Sequence, residues 1–206
     1  MTTLLVADRL SFSFGSTHVF TMWSAELPAG LTWLQGPNGS GKSTLLKLLA
    51  GALEPFTGRR VAAGVDAAAE PLAYRRNVFW CGPGAPAFDH LRPPEFFGFM
   101  ATLYPSWSPA ALADAVQGFG LDAFLGTRLS QLSTGNQRKA WLAAALAAGT
   151  PAVLLDEPFN ALDAAALRWL RAALRRHADA ATQAWLVASH EAPLPGEGAR
   201  LELAPR

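Results

Sequence analysis

Residues Gly36-Pro37-Asn38-Gly39-Ser40-Gly41-Lys42-Ser43-Thr44 bring glycines, one lysine and hydroxyl side chains together in the spacing G-x-x-x-x-G-K-[ST]. Glycine lets a backbone fold tightly and turn its N–H groups toward an anion. A helix beginning at the end of the run adds the partial positive charge of its N-terminus. The stretch would then cradle phosphates: Lys42 would reach the β- and γ-phosphates, and the Ser43 hydroxyl would ligate Mg²⁺. A second constellation, Val153-Leu154-Leu155-Asp156-Glu157-Pro158, places two adjacent carboxylates at the end of an apolar run, 114 residues after Lys42. Asp156 suits support of Mg²⁺, directly or through water. Glu157 suits a general base for an attacking water. Alone, the pair could equally be solvated in a loop; the phosphate cradle upstream favours chemistry. The third constellation is Leu132-Ser133-Thr134-Gly135-Asn136. Serine and glycine at a helix start present a hydroxyl and N–H groups to an anion, or simply cap the helix.

These residues need elements to hold them. Leu31-Thr32-Trp33-Leu34 reads as a short apolar strand entering the cradle. Thr44 to Ala50 reads as a leucine-rich helix leaving it and ending near Gly51. Residues 4–35 read as strands and turns, with Phe12 and Phe14 alternating with serines and turns at Gly15-Ser16 and Pro28-Ala29-Gly30. Residues 56–84 are rich in Gly, Pro and Ala, with short apolar runs such as Val78-Phe79-Trp80-Cys81. From Pro93 to Leu129 the pattern turns helical. Pro94-Glu95 opens one helix, and Ser108-Pro109 is an N-cap with proline at the first helical position, opening Ala110 to Phe119. Ser133 to Ala148 is a further helix. Ala152-Val153-Leu154-Leu155 and Trp185-Leu186-Val187-Ala188 read as buried parallel strands. Asp163 to Ala178 is a helix with Leu167, Leu170 and Leu174 on one face. The expected class is α/β: one domain over 1–206, its core at about 1–84 and 149–206, with an inserted helical subdomain at about 85–148.

Composition narrows the partners. Half of the 206 residues are hydrophobic, 16% are charged and the net charge is +1. No long basic run appears, so nucleic-acid binding is not expected. The single cysteine, Cys81, allows no disulfide framework and no cysteine-based metal site within one chain, which suits a reducing cytoplasm. The N-terminus lacks the apolar core of a signal peptide. The uncharged run Ala140 to Leu155 is broken by Gly149-Thr150-Pro151 and is too short to span a bilayer. The aromatics at 96, 97, 99, 104 and 107 read as core. Arg168, Arg171 and Arg175 read as a solvated helical stripe.

Taken together, GPNGSGKST, LSTGN and VLLDEP, in this order and spacing, resemble the nucleotide-binding subunits of ABC transporters over essentially the full chain. The resemblance implies a P-loop NTPase (RecA-like) core with an N-terminal antiparallel β subdomain and an inserted α-helical subdomain. It implies that the cofactors are ATP and Mg²⁺, and that the chain is an ATPase. Gly36, Pro37, Asn38, Gly39, Ser40, Gly41, Lys42, Ser43 and Thr44 would bind the phosphates, with Ser43 and Asp156 at the metal and Glu157 as catalytic base. Ala188-Ser189-His190 resembles the switch segment and puts His190 at the γ-phosphate; a lone histidine is otherwise more often structural. Asn160-Ala161-Leu162-Asp163 resembles the D-loop, although Asp163 could equally cap the helix that follows, or do both. Phe14 stands where the family places an aromatic on adenine; Phe12 competes for that role, and either could be half-buried packing. Ser133 and Gly135 would close over the ATP of a second subunit.

The resemblance also implies partners: a second ATP-binding subunit, identical or different, and a transmembrane permease docked on the helical lobe. The chain would then be cytoplasmic, peripheral on the cytoplasmic face of the inner membrane. It is similar to small exporter ATPases, both those of haem export in cytochrome c maturation and, through Leu103-Tyr104-Pro105-Ser106-Trp107, those of ABC-2 exporters. The alternative is a soluble ATP-gated assembly factor without a membrane partner. Two departures stand out. The family has a Gln after the strand that ends near Cys81, whereas this chain reads Cys81-Gly82-Pro83-Gly84-Ala85-Pro86, with Gly82 and Gly84 as candidate positions. The signature carries Thr134 for a Gly and Asn136 for a Gln.

Overall fold

Period-two patterning at the N-terminus folds as a long hairpin. The computed structural model describes residues 3–83, 88–194, 196 and 198–204. β1 (Thr3–Phe14) and β2 (Thr17–Pro28) pair antiparallel around the Gly15-Ser16 turn. β3 (Gly30–Gln35) leads into the glycine loop, and α1 (Lys42–Leu49) leaves it. β4 (Thr57–Ala62) returns to the other edge of β1 and turns into β5 (Val65–Asp66), giving an antiparallel sheet ordered β2-β1-β4-β5. α2 (Pro71–Arg76) and β6 (Val78–Cys81) follow. Residues 93–147 then hold only helices: α3 (Pro93–Leu103), α4 (Pro109–Phe119), two 3₁₀ turns and α5 (Thr134–Ala147). β7 (Ala152–Asp156), α6 (Ala164–Ala180), β8 (Ala184–Ala188) and β9 (Ala199–Glu202) complete the chain. The second sheet runs β6-β7-β8-β3-β9 and is parallel throughout.

Burial explains the continuous apolar runs. Every residue of β7 and β8 is buried, because a parallel sheet is covered on both faces. Alternate side chains point to opposite sides. Phe79, Val153, Leu155, Trp185 and Val187 pack with Phe96, Met100, Leu142 and Leu170 of the helices. Leu34, Leu154 and Leu186 pack instead with Leu45, Leu48 and the antiparallel sheet. Each large apolar side chain so buried stabilises the fold by about 1.5–3 kcal/mol. The helical segment thus shares one continuous core with the lower face of the parallel sheet.

Helix ends follow local chemistry. Ser108 accepts from Ala111 N at 3.1 Å to start α4, and Gly120, with φ 66°, ends it. Ser133 accepts from Asn136 N to start α5, and Asp163 accepts from Ala165 N and Ala166 N to start α6. α1 differs: Gly41 enters it at φ 103° and no side chain caps its first N–H groups, which leaves them for an anion. Its other end is closed by buried Arg60, donating to Leu48 O and Leu53 O, and by Tyr74 Oη, donating to Leu49 O.

The aromatic expectation holds for Phe96 and Phe97, which are buried, and for Tyr104 and Trp107, which pack partly buried on the core; Phe99 is exposed. The arginine stripe is mixed. Arg168 and Arg175 are exposed, but Arg171 is half-buried over the Phe159 ring and pairs with Glu191 at 3.5 Å. Among the described residues no helix is long and apolar enough to cross a membrane.

Candidate functional site

The carboxyl ends of β3, β7 and β8 lead to one cavity of about 310 Å³, lined by the glycine loop, the start of α1, the end of β7 and the segment after β8. Ligands of open α/β sheets bind at this edge. Asn38, Gly39, Gly41, Lys42, Ser43, Thr44, Asp156, Glu157 and His190 line it. Lys42 Nζ donates to Gly36 O at 2.7 Å and Pro37 O at 3.2 Å. An ammonium has three protons, so one remains for a phosphate oxygen while the other two brace the loop. Gly36, Pro37 and Ser40 shape the loop without lining the cavity.

Asp156 closes β7 and is only 1% exposed. Burial pushes its carboxyl pKa up; the Ser43 hydroxyl, Arg138, Lys47 and Lys42 oppose that rise. Its Oδ2 has no hydrogen-bond partner among the described residues. A buried, unpartnered carboxylate oxygen beside a hydroxyl is a donor set for a hard cation. No cluster of three or more His, Cys, Asp and Glu among the described residues could hold a metal by itself. A cation at this carboxylate must therefore share oxygens with a phosphate ligand and water.

Glu157 stands next, with a left-handed backbone at φ 49°. Non-glycine residues adopt this region at a cost, typically where function requires a particular aim. Its N–H donates to Ala188 O at 2.8 Å, and its Oε1 lies 3.4 Å from His190 Nε2. The segment carrying His190 is held by Trp33 Nε1, which donates to Ser189 O, and by Ser189 Oγ, which donates to Glu191 O.

The remaining expected residues lie off this cavity. Phe14 is exposed at the end of β1, edge-on to the buried Phe12 at 4.9 Å; of the two rings it is the one a ligand could reach. Ser133 and Gly135 sit at the start of α5, where a Cβ on Gly135 would meet Ala161 O at 2.5 Å. Asp163 caps α6 and pairs with Lys139 Nζ at 2.5 Å. The backbone bond from Ala166, with Lys139 next, holds its carboxyl down to about 2.

Gly82 follows β6 against the site. A Cβ there would lie 2.7 Å from Asp156 Cβ and 3.0 Å from Trp80 Nε1. This position therefore cannot take a Gln without displacing Asp156 or Trp80; Gly84 lies outside the described residues. Three residues that the motifs did not single out touch the site or the segment that follows it. Trp80 brackets Gly82 and lies under Lys47 at 5.8 Å. Arg138 Nη1 donates to Asp156 O and Glu157 O. Lys139 pairs with Asp163. Lys139 carried a legible signal: with Leu142, Ala143 and Leu146 it falls on the buried stripe of α5, and a charge in such a stripe needs a partner.

Known proteins similar to this chain identify its family. Residues 23–160 match the family model described as ABC transporter. The chain is similar to the cytochrome c biogenesis ATP-binding export protein CcmA of Pseudomonas putida, 34% identical over 180 residues, covering 87% of this chain and 86% of the relative. It is also similar to the sulfate/thiosulfate import ATP-binding protein CysA of Thermosynechococcus vestitus, 39% identical over 180 residues, which is 84% of this chain but 52% of that relative. Among solved structures, an ATP-binding subunit of an ABC transporter superposes with a TM-score of 0.83 at 25% identity, covering 91% of this chain and 80% of that one. The chain belongs to the ABC transporter family, as one of its ATP-binding, ATP-hydrolysing proteins.

Proposed function

We propose that this chain powers an exporter: it binds MgATP at the cavity under the glycine loop and hydrolyses it between two subunits. The observation that carries the reading is the meeting of Lys42, Ser43, Asp156, Glu157 and His190 from three separate segments, the start of α1, the end of β7 and the stretch after β8. Gly36 to Thr44 wrap the phosphates, with backbone N–H groups and Lys42 as the cation. Mg²⁺, when bound, neutralises phosphate charge; Ser43 and Asp156 are the residues that would hold it. Phosphoryl transfer is mostly positioning and electrostatics. A water attacks the γ-phosphorus as Glu157 takes its proton, the new P–O bond forms, and the bond to the β,γ-bridging oxygen breaks. ADP and phosphate result. His190 orients Glu157 and faces the γ-phosphate, and Phe14 stacks on the adenine.

One chain supplies half of each site. Ser133 and Gly135 of a second subunit close over the γ-phosphate, so ATP joins the subunits and hydrolysis releases them. Asp163 holds the segment between the catalytic carboxylates and α6. A permease docked on the helical lobe follows this cycle, which places the chain on the cytoplasmic face of the membrane through that partner. Export rests on the likeness to an export protein over 87% of this chain. Affinity purification from membranes, with mass-spectrometric identification of what travels with the chain, tests it. A multi-span membrane protein is the expected companion; a chain found only in the soluble fraction with ATPase activity favours the assembly-factor alternative.

A further inference from the structure

Glu157 has a backbone conformation that must be held in place. A non-glycine residue in the left-handed region is strained and persists only when its surroundings over-determine it. One restraint comes from the sheet, the bond from Glu157 N to Ala188 O at 2.8 Å. A weaker local one is Asn160 N donating to Glu157 O at 3.3 Å. The other comes from α5. Arg138 Nη1 donates to Asp156 O at 3.1 Å and to Glu157 O at 3.0 Å. A guanidinium nitrogen carries two protons in a fixed fork, so one side chain grips consecutive carbonyls and sets the peptide plane between them. That plane determines where the Glu157 side chain leaves the backbone.

The grip is part of a longer seam. Ala161 is also left-handed, at φ 63°, and Gly135 fits against its carbonyl. Lys139 Nζ binds Asp163 Oδ2. Helix α5 thus holds the segment 156–163 near its start, middle and end, and Arg138 is the contact next to the carboxylates. We propose that Arg138 is a positioning residue for the Glu157 carboxylate, acting from the helix that carries Ser133 and Gly135. It rests on the reading of Glu157 as the general base. A shift of α5 would be felt at the carboxylate through this side chain, while the Lys139–Asp163 pair and the sheet keep the fold.

The test is a double-variant cycle on the purified chain. Arg138→Met is expected to lower kcat for ATP hydrolysis by about 10- to 100-fold, the scale of a small misplacement at a reacting group, with the ATP dissociation constant within twofold of the parent. In a Glu157→Gln background, read by single-turnover hydrolysis, Arg138→Met should cost nothing further. Parent kcat per ATP-binding site in Arg138→Met overturns the proposal, and so does an equal loss in the Glu157→Gln background. If Arg138→Met fails to fold, Arg138→Lys, which keeps the charge but not the fork, is put through the same cycle with the same criteria. A parent protein whose hydrolysis is indifferent to Glu157→Gln would instead remove the reading of Glu157 on which the proposal stands.

Discussion

Gly82→Ala adds one methyl group at a tight point beside the site. The new Cβ would lie 2.7 Å from Asp156 Cβ, 3.0 Å from Trp80 Nε1 and 3.3 Å from Trp80 Cε2. Carbon atoms pack best at about 3.5–4.0 Å, so relief needs a displacement of roughly 1 Å. β7 is paired on both edges, by β6 and β8, so its body resists and its end carries the shift. Overpacking of this kind costs about 1–3 kcal/mol. A reacting group moved by about 1 Å loses roughly 100-fold in rate. The glycine loop and Lys42 are untouched. The expected result is a kcat for ATP hydrolysis about 100-fold below the parent, with nucleotide affinity in the presence of EDTA unchanged. Steady-state phosphate release and isothermal titration measure the two quantities. A Gly82→Gln variant should behave alike, because the same Cβ clash precedes any benefit of the amide. Hydrolysis by Gly82→Ala within twofold of the parent would refute the reasoning, since Asp156 would then not need its observed position.

Three other perturbations probe separate parts of the account. Lys42→Ala should weaken ATP binding by about 10- to 100-fold, the loss of its one charge-assisted hydrogen bond to a phosphate oxygen together with the two that brace the loop; titration calorimetry showing retained tight binding would contradict the role of the cradle. Arg60→Met leaves Leu53 O without its side-chain donor and Leu48 O with only backbone donors such as Gly51 N and should lower stability by about 1–3 kcal/mol in urea unfolding; an unchanged midpoint would mean the Leu53 carbonyl finds water. The Asp163 carboxyl lies at about 2 in the fold against an ordinary 3.8, so its stabilisation is present above pH 4 and is lost as pH falls toward 2. Asp163→Asn should flatten the fall in melting temperature across that window, and parallel acid slopes for the two proteins would count against it.

Particular residues show what the chain makes legible on sight. Leu31 to Leu34, Ala152 to Leu155 and Trp185 to Ala188 read as buried strands because both faces of a parallel sheet are covered, so the run is apolar throughout. Ser108-Pro109 marked the start of α4 because cap and proline chemistry are local. Residues 56–84 were less legible. β4 has exposed Thr57, Gly58 and Arg59, and its place is set by pairing with the distant β1. α2 is six residues long and starts at Pro71 after a run of alanines, too short for periodicity to appear. β9, with Ala199, Arg200 and Glu202 exposed, is an edge strand ordered by its bonds to β3. At the site, motif spacing pointed to the residues that line the cavity. It could not point to Trp80 or Arg138, whose roles come from what the fold brings beside them.

In the proposed cycle ATP is held between two copies or relatives of this chain, and Glu157 starts its hydrolysis. Glu157→Gln removes the base and leaves the cradle, so MgATP should bind and stay. Gel filtration with light scattering, with MgATP and then with MgADP, measures this directly. Glu157→Gln is expected to be a dimer in MgATP and a monomer in MgADP. A Glu157→Gln protein that binds MgATP and remains a monomer would contradict it.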